Sequence, residues 1–180
     1  IGPFGEATFE FHPGARPKRG RPFRFFGEKE EALTKICLRN RDERGWGQPS
    51  ISPWTSSPFV IPKATPRMWR MVVDYRHLNE CTVDDRYPTP IIEDILQRQG
   101  KFRMVTVLDM KDGFHQMPLK KEHRYLTAMP TPIGLQEWNV MLQGGKNGPP
   151  QFQRMMEWIL RDHDYADVYV DDVIIGSSGG

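Results

Sequence analysis

The sequence has 180 residues, enough for one compact domain or a body with a small lobe, and too few for several independent enzymes. With 25 Lys and Arg against 23 Asp and Glu the net charge is +2, which excludes bulk attraction to nucleic acid or anionic membrane; any basic surface must be local. An apolar content of 38%, below the roughly 45–50% of an average domain counted with Gly, together with 16 Gly and 16 Pro, predicts a modest core and many turns.

In chain order, residues 1–27 form a Pro/Gly-rich arm in which Arg16, Lys18, Arg19, Arg21 and Arg24 gather without an acid. Its prolines forbid a regular helix, leaving either an extended basic arm on a phosphate backbone or a solvated linker. Glu28 to Leu38 has acids in its first turn and Leu33, Ile36 and Cys37 near helical spacing, which predicts an amphipathic helix ending before Gly45-Trp-Gly. Two β-branched and aromatic runs, Pro58–Pro62 and Met68–Asp74, flank a short Pro-containing connection and predict a β-hairpin. Ile91–Gln99 reads as a helix, Met104–Asp109 as a buried strand ending in an acid, and Gln136–Met141 as a further strand. Pro149-Pro opens a helix whose Phe152, Met155, Met156 and Ile159 share a core face. Finally, Ala166–Val170 and Val173–Ile175 flank Asp171-Asp172, a tight hairpin with two carboxylates at its tip. Strands and helices mix without βαβ alternation, so the expected class is α+β.

Cys37 and Cys81 cannot build a disulfide framework, and no Cys/His cluster at zinc spacing accompanies them; reduced thiols in an intracellular setting are expected. No apolar run reaches transmembrane length, and the N-terminus has neither a signal pattern nor an initiator Met. A piece of a longer soluble chain, not secreted and not membrane-bound, is expected.

Of two Asp-Asp pairs, Asp84-Asp85 sits in a polar stretch and reads as a solvated turn. Asp171-Asp172, pinned between apolar strands, concentrates negative charge beside a packed sheet, where repulsion shifts a carboxyl pKa upward and calls for a cation. Asp109 ends another apolar strand and is placed to meet them at one sheet edge; the alternative is that it caps a strand. Convergent carboxylates suit hard divalent cations, and two such ions about 4 Å apart suit phosphoryl transfer. The five histidines fall at no metal-ligand spacing, and Gly144-Gly-Lys146 lacks the flanking residues of a phosphate loop. Trp54, Trp69, Trp138 and Trp158 are either base-stacking platforms or core aromatics.

Ser52-Pro-Trp-Thr-Ser-Ser-Pro, Trp69 to Asn79, Arg86-Tyr-Pro-Thr-Pro-Ile, Leu108-Asp-Met-Lys-Asp-Gly-Phe-His-Gln116, Phe152-Gln-Arg-Met and Tyr169-Val-Asp-Asp172, in that order, resemble the reverse transcriptases of gypsy-type LTR retrotransposons and retroviruses. The resemblance implies the fingers and palm of a right-hand polymerase, the palm an antiparallel sheet backed by helices. It implies a basic arm over 1–27, fingers over 28–90 and palm over 91–180 with an interleaved fingers segment at about 117–145. The thumb and RNase H that such polyproteins carry are expected to be absent from these residues.

The resemblance further implies RNA-directed DNA polymerase activity with two Mg²⁺ ions, or Mn²⁺, on the catalytic carboxylates Asp109, Asp171 and Asp172. Lys63 and Arg70 match the residues that hold the triphosphate of an incoming dNTP. Asp112 and Gly113 match the positions whose N–H groups touch it, and Phe114 matches the aromatic that bars a ribose 2′-OH, against the plainer reading of Phe114 as a core aromatic. Gln143 matches the contact to the nucleotide sugar, although gypsy-type chains usually carry Met-Pro-Phe-Gly-Leu there. Arg16, Lys18, Arg19, Arg21 and Tyr169 are expected along a primed RNA or DNA template. The implied partners are template, dNTPs and the remainder of a pol polyprotein, in the cytoplasm or a virus-like particle. The rival readings are a truncated, non-catalytic remnant that only binds nucleic acid, and a DNA-templated polymerase or other Mg²⁺ nucleotidyltransferase.

Overall fold

A computed structural model describes residues 3–20 and 25–179. Glu28, Glu30 and Glu31 in the first turn and Lys35 in the last complement the helix dipole, and α1 forms over Glu28–Leu38 with Leu33 and Cys37 buried. One wider π-helical turn, Arg39–Glu43, then carries the chain to Gly45, whose φ of 66° reverses it where the sequence predicts the break.

After β1 (Gly47–Pro49), the expected hairpin pairs β2 (Ser57–Pro62) with β3 (Trp69–Asp74), setting Val60 opposite Met71. The short α2 (Arg76–Cys81) follows, then α3 (Ile92–Gln99) and β4 (Met104–Asp109). Two 3₁₀ turns, Gly113–Gln116 and Lys121–Thr127, lead to β5 (Met129–Thr131) and β6 (Gly134–Trp138). The chain closes with α4 (Gly148–Leu160), β7 (Ala166–Tyr169) and β8 (Asp172–Ser177). The sheets are ordered β1-β6-β5, β2-β3 and β4-β8-β7, with every pair antiparallel.

One core gathers Phe152, Met155 and Met156 of α4 with Met117, Leu119, Val168 and Val173. A second joins Trp54, Tyr75, Leu78, Leu126, Met129, Trp138 and Leu142. Trp54 and Trp138 are therefore core aromatics. The tyrosine hydroxyl anchors the second core: Tyr75 Oη donates to the Thr127 carbonyl at 3.0 Å and accepts from Trp138 Nε1 at 3.0 Å. Burial raises its pKa, so it stays neutral.

Several expectations need correction. Met104–Asp109 is a strand as predicted, but it is exposed along its whole length, because it is the sheet's outer strand and α4 packs over β7. The strand expected over Gln136–Met141 runs instead over Gly134–Trp138, with Gly134 at φ 97° turning the chain back from β5. Ile159 is 42% exposed, and the core seam of α4 passes to Leu160. Asp85 does not sit in a solvated turn: it pairs with Arg154 at 2.6 Å and accepts from the Tyr87 N–H, while Asp84 stays exposed against Lys146.

The arm is no loose linker over its described part. Ala7 is buried and exchanges backbone hydrogen bonds with Pro118 and Lys120, His12 donates to the Cys81 carbonyl, and Gly20 and Thr55 tie the arm to the entry of β2. Cys37 and Cys81 are both free, and burial pushes the Cys37 thiol up to about 11, so it is unreactive at neutral pH.

Tyr75→Phe removes the one group that satisfies both Trp138 and Thr127. It is expected to cost about 1–3 kcal/mol in urea unfolding with native circular dichroism retained; a variant as stable as the wild type would show that the hydroxyl does not anchor this core.

Candidate active site

The β4–β8 register sets Asp109 directly opposite Asp172, and β7 pairs Tyr169 with the same Asp172. The Met110 N–H donates to the Asp171 carbonyl at 3.0 Å, tying the end of β4 to the hairpin turn. All three aspartates predicted as a set thus meet at one sheet edge, and Tyr169 stands beside them.

The turn that presents Asp171 is strained. Val170 has φ 54°, a left-handed conformation that costs a β-branched residue roughly 1–2 kcal/mol. Gln153 holds it there: its Oε1 accepts from the Val170 N–H at 2.7 Å, and its Nε2 donates to the Val168 carbonyl at 2.9 Å and to Glu157 at 2.7 Å. At 1% exposure this amide is a buried clasp between α4 and the hairpin. Sequence reading placed Gln153 in a motif without giving it a role, since its partners are backbone atoms distant in the chain.

Burial, then the neighbouring charges of Asp172 and Asp109, raise the Asp171 pKa. Its Oδ1 is buried and accepts no hydrogen bond among the described residues. An orphaned hard oxygen beside two further carboxylates is the donor chemistry a Mg²⁺ ion takes. Among the described residues no group of three His, Cys, Asp or Glu is close enough to hold a metal ion by itself. Asp109, Asp171 and Asp172 are the residues that would hold such an ion, which would neutralise negative charge at this edge.

A cavity of about 570 Å³ has Lys63, Arg70, Asp112 and Gln143 in its lining; the three aspartates do not line it, and Asp112, three residues after Asp109, is its link in the chain to the end of β4. Arg70 donates to the Gln143 Oε1 at 3.0 Å across the cavity. The loop carrying Gln143 is clamped by Asn79, which donates to the Gly144 carbonyl and accepts from the Lys146 N–H. Asp112 has φ 53° at the head of the Gly113–Gln116 turn. The Gly113 N–H is already engaged by the Met110 carbonyl at 3.2 Å, so a phosphate would have to share it. Phe114 is half-buried, edge-on to Phe152 at 5.2 Å, and does not line the cavity.

Arg16, Lys18 and Arg19 are exposed along the docked arm, whereas Arg21 and Arg24 lie outside the described residues. No helix among the described residues is long and apolar enough to cross a membrane.

Residues 61–180 match the family described as "Reverse transcriptase (RNA-dependent DNA polymerase)". The chain belongs to this family. It is 41% identical over 135 residues to the Retrovirus-related Pol polyprotein from transposon 297 of Drosophila melanogaster, covering 72% of this chain and 13% of that protein. It is 39% identical over 137 residues to the counterpart from transposon gypsy of the same organism, covering 72% and 13%. The "Enzymatic polyprotein" of Cauliflower mosaic virus (strain D/H) is 36% identical over 135 residues, covering 73% and 20%. The chain thus spans between an eighth and a fifth of these relatives. Among solved structures, Prototype Foamy Virus Protease-Reverse Transcriptase superposes with a TM-score of 0.81 at 23% identity over 95% of this chain and 23% of that one, which establishes the polymerase fold. The antiparallel β4-β8-β7 sheet with α4 packed on it is consistent with the α+β palm of a polymerase.

Two predictions follow from the edge. The folded state holds the Asp171 proton more tightly than the unfolded chain, so this group destabilises the fold at neutral pH, and the penalty fades as pH falls through its raised pKa. Asp171→Asn is therefore expected to melt at or above the wild-type temperature at pH 7, the difference closing near the ordinary carboxylate value of about 3.9; Mg²⁺ should raise the melting temperature of the wild type and not of the variant. A destabilised variant that keeps the full Mg²⁺ shift contradicts the assignment. Gln153→Ala is expected to lose about 2 kcal/mol or more of stability together with the Mg²⁺ shift; retention of both in calorimetry would show that the clasp does not hold the hairpin.

Proposed function

We propose that this domain catalyses RNA-directed DNA synthesis, adding dNTPs to a primer 3′-hydroxyl on an RNA or DNA template. The observation that carries this reading is the pairing of Asp109 with Asp172 next to the orphaned Asp171 oxygen, and a cavity bearing Lys63, Arg70 and Gln143 supports it. In the reaction the primer oxygen bonds to the α-phosphorus, the bond between the α- and β-phosphates breaks, and pyrophosphate leaves while the hydroxyl proton passes to solvent. The protein's part is positioning and charge. The three carboxylates would hold the divalent ions, two Mg²⁺ or Mn²⁺, which would neutralise phosphate charge and activate the primer hydroxyl. Lys63 and Arg70 take the triphosphate as charge-assisted donors. Gln143, oriented by Arg70 and by the loop that Asn79 clamps, is read as the contact to the sugar; Phe114, packed edge-on against Phe152 outside the cavity lining, is read as barring a 2′-hydroxyl only where the sugar extends beyond that lining towards the ring.

Residues 28–90, with about 117–145, are read as fingers and the rest of 91–180 as palm. The exposed cations Arg16, Lys18 and Arg19 of the docked arm, Arg21 after them, and Tyr169 on β7 are read as contacts to template and primer. Synthesis takes place with the remainder of a pol polyprotein, including thumb and RNase H, in the cytoplasm or a virus-like particle.

The test is primer extension on an RNA template with Mg²⁺, using the chain extended through the downstream polyprotein sequence. The wild type should extend, and Asp109→Asn or Asp172→Asn should lose nucleotide addition by several orders of magnitude while remaining folded; near-wild-type extension by either variant would overturn the assignment of these carboxylates, and no extension by the wild type would favour a non-catalytic nucleic-acid binder. Phe114→Val should keep dNTP use and raise ribonucleotide incorporation, and an unchanged preference would leave Phe114 a packing residue.

A further inference from the structure

The cavity wall opposite Gln143 is built by a column of stacked groups that the resemblance does not assign. The Arg44 guanidinium lies 4.1 Å from the Trp46 ring centre. Trp46 packs on His115 at 4.3 Å, and His115 stacks on Trp138 at 5.4 Å with the planes 16° apart. The column is anchored at its base: Trp138 donates to Tyr75, and the His115 Nδ1–H donates to the Met141 carbonyl at 2.9 Å, since a carbonyl can only accept. Burial, reinforced slightly by Arg44, lowers the His115 pKa and keeps the ring neutral, so the column's positive charge sits on Arg44, which lines the cavity with the three rings.

Arg44 is loosely compensated. Its single acidic contact is Asp112 at 3.9 Å, beyond hydrogen-bond length, with the Arg44 side chain 26% exposed. Arg39, which also lines the cavity, is 60% exposed, and its contact with Glu43 at 3.8 Å is likewise beyond hydrogen-bond length. Lys63, Arg70, Arg44 and Arg39 thus face a cavity whose lining has one acid, Asp112. A space with this charge balance selects a polyanion, and a planar fork immobilised on an indole loses little side-chain entropy in binding one.

We propose that Arg44 is a further phosphate-binding cation of this cavity, taking the polyphosphate of the incoming nucleotide alongside Lys63 and Arg70. The inference rests on the nucleotide reading of the cavity given above. Arg44 bridges from its perch on Trp46 to the phosphates while staying close enough to Asp112 to blunt that carboxylate's repulsion. Nothing in the sequence marks it, because Arg44 lies in a charged run, Arg39-Asn-Arg-Asp-Glu-Arg, that reads as a solvated surface.

The experiment titrates the 180-residue chain with inorganic tripolyphosphate and with Mg²⁺-dATP by calorimetry, following the Trp46 indole N–H by NMR. Arg44→Gln is expected to weaken both ligands roughly tenfold, the scale of one charge-assisted contact, and the Trp46 signal should move on binding in the wild type alone. Arg44→Lys, which keeps the charge but not the planar face, should fall between them, and it serves if Arg44→Gln does not fold; wild-type affinity in Arg44→Lys together with an unmoved Trp46 signal overturns the assignment. The tenfold loss should persist in an Asp112→Asn background; if it vanishes there, Arg44 acts only by neutralising Asp112 and the direct contact is wrong. Wild-type affinity in Arg44→Gln with weakened binding in Lys63→Ala overturns the role of Arg44 and leaves the nucleotide reading standing. Absence of tripolyphosphate binding, or binding that none of these variants alters, removes both.

Discussion

Three carboxylates at one sheet edge repel one another, and much of this domain's local architecture answers that repulsion. The antiparallel register of β4 and β8 fixes Asp109 against Asp172, and a two-residue turn adds Asp171, whose pKa is raised first by burial and then by the charges of Asp172 and Asp109. Such an edge persists because covalent connection and packing behind it leave the aspartates no way to separate. α4 supplies that packing through Phe152, Met155 and Met156, and Gln153 extends it into the turn by holding Val170 in a conformation a β-branched residue avoids. Protonation of Asp171 at low pH relieves part of the repulsion, and a bound divalent cation would relieve it at neutral pH.

The second half of the site follows the opposite electrostatic rule. Where the sheet edge gathers acids, the cavity gathers cations from elements far apart in sequence: Lys63 from the β2–β3 turn, Arg70 from β3, Arg44 from the end of the π-helical turn. Arg70 leans on Gln143 and Arg44 on Trp46, so each waits in place without a full salt bridge. A substrate carrying both a polyanion and divalent ions satisfies the two halves together, with Asp112 at the boundary, three residues after Asp109.

Much of this was legible in the sequence. The hairpin bearing Asp171-Asp172, the end of β4 at Asp109, α1 and the β2–β3 hairpin follow from apolar period, turn residues and helix-end charges, all local signals. What was hidden is non-local. Met104–Asp109 is apolar enough to read as buried, but exposure depends on sheet order, and the strand lies at the edge. The column Arg44–Trp46–His115–Trp138 joins residues almost a hundred positions apart, and the clasp of Gln153 works through backbone atoms. The six-residue α2 was too short to show a period, and the docking of the arm along Pro118, Cys81 and Thr55 uses main-chain hydrogen bonds, to which composition is blind.

The central claim, that the β4–β8–β7 edge is a divalent-cation site created by forced proximity of Asp109, Asp171 and Asp172, is tested most directly by paramagnetic broadening. Substoichiometric Mn²⁺ added to the isotopically labelled domain should broaden first the amide signals of residues 109–110 and 170–173, and excess Mg²⁺ should restore them. Broadening that begins instead at the exposed acids of α1 or at Asp84, with the hairpin unaffected, would contradict the account.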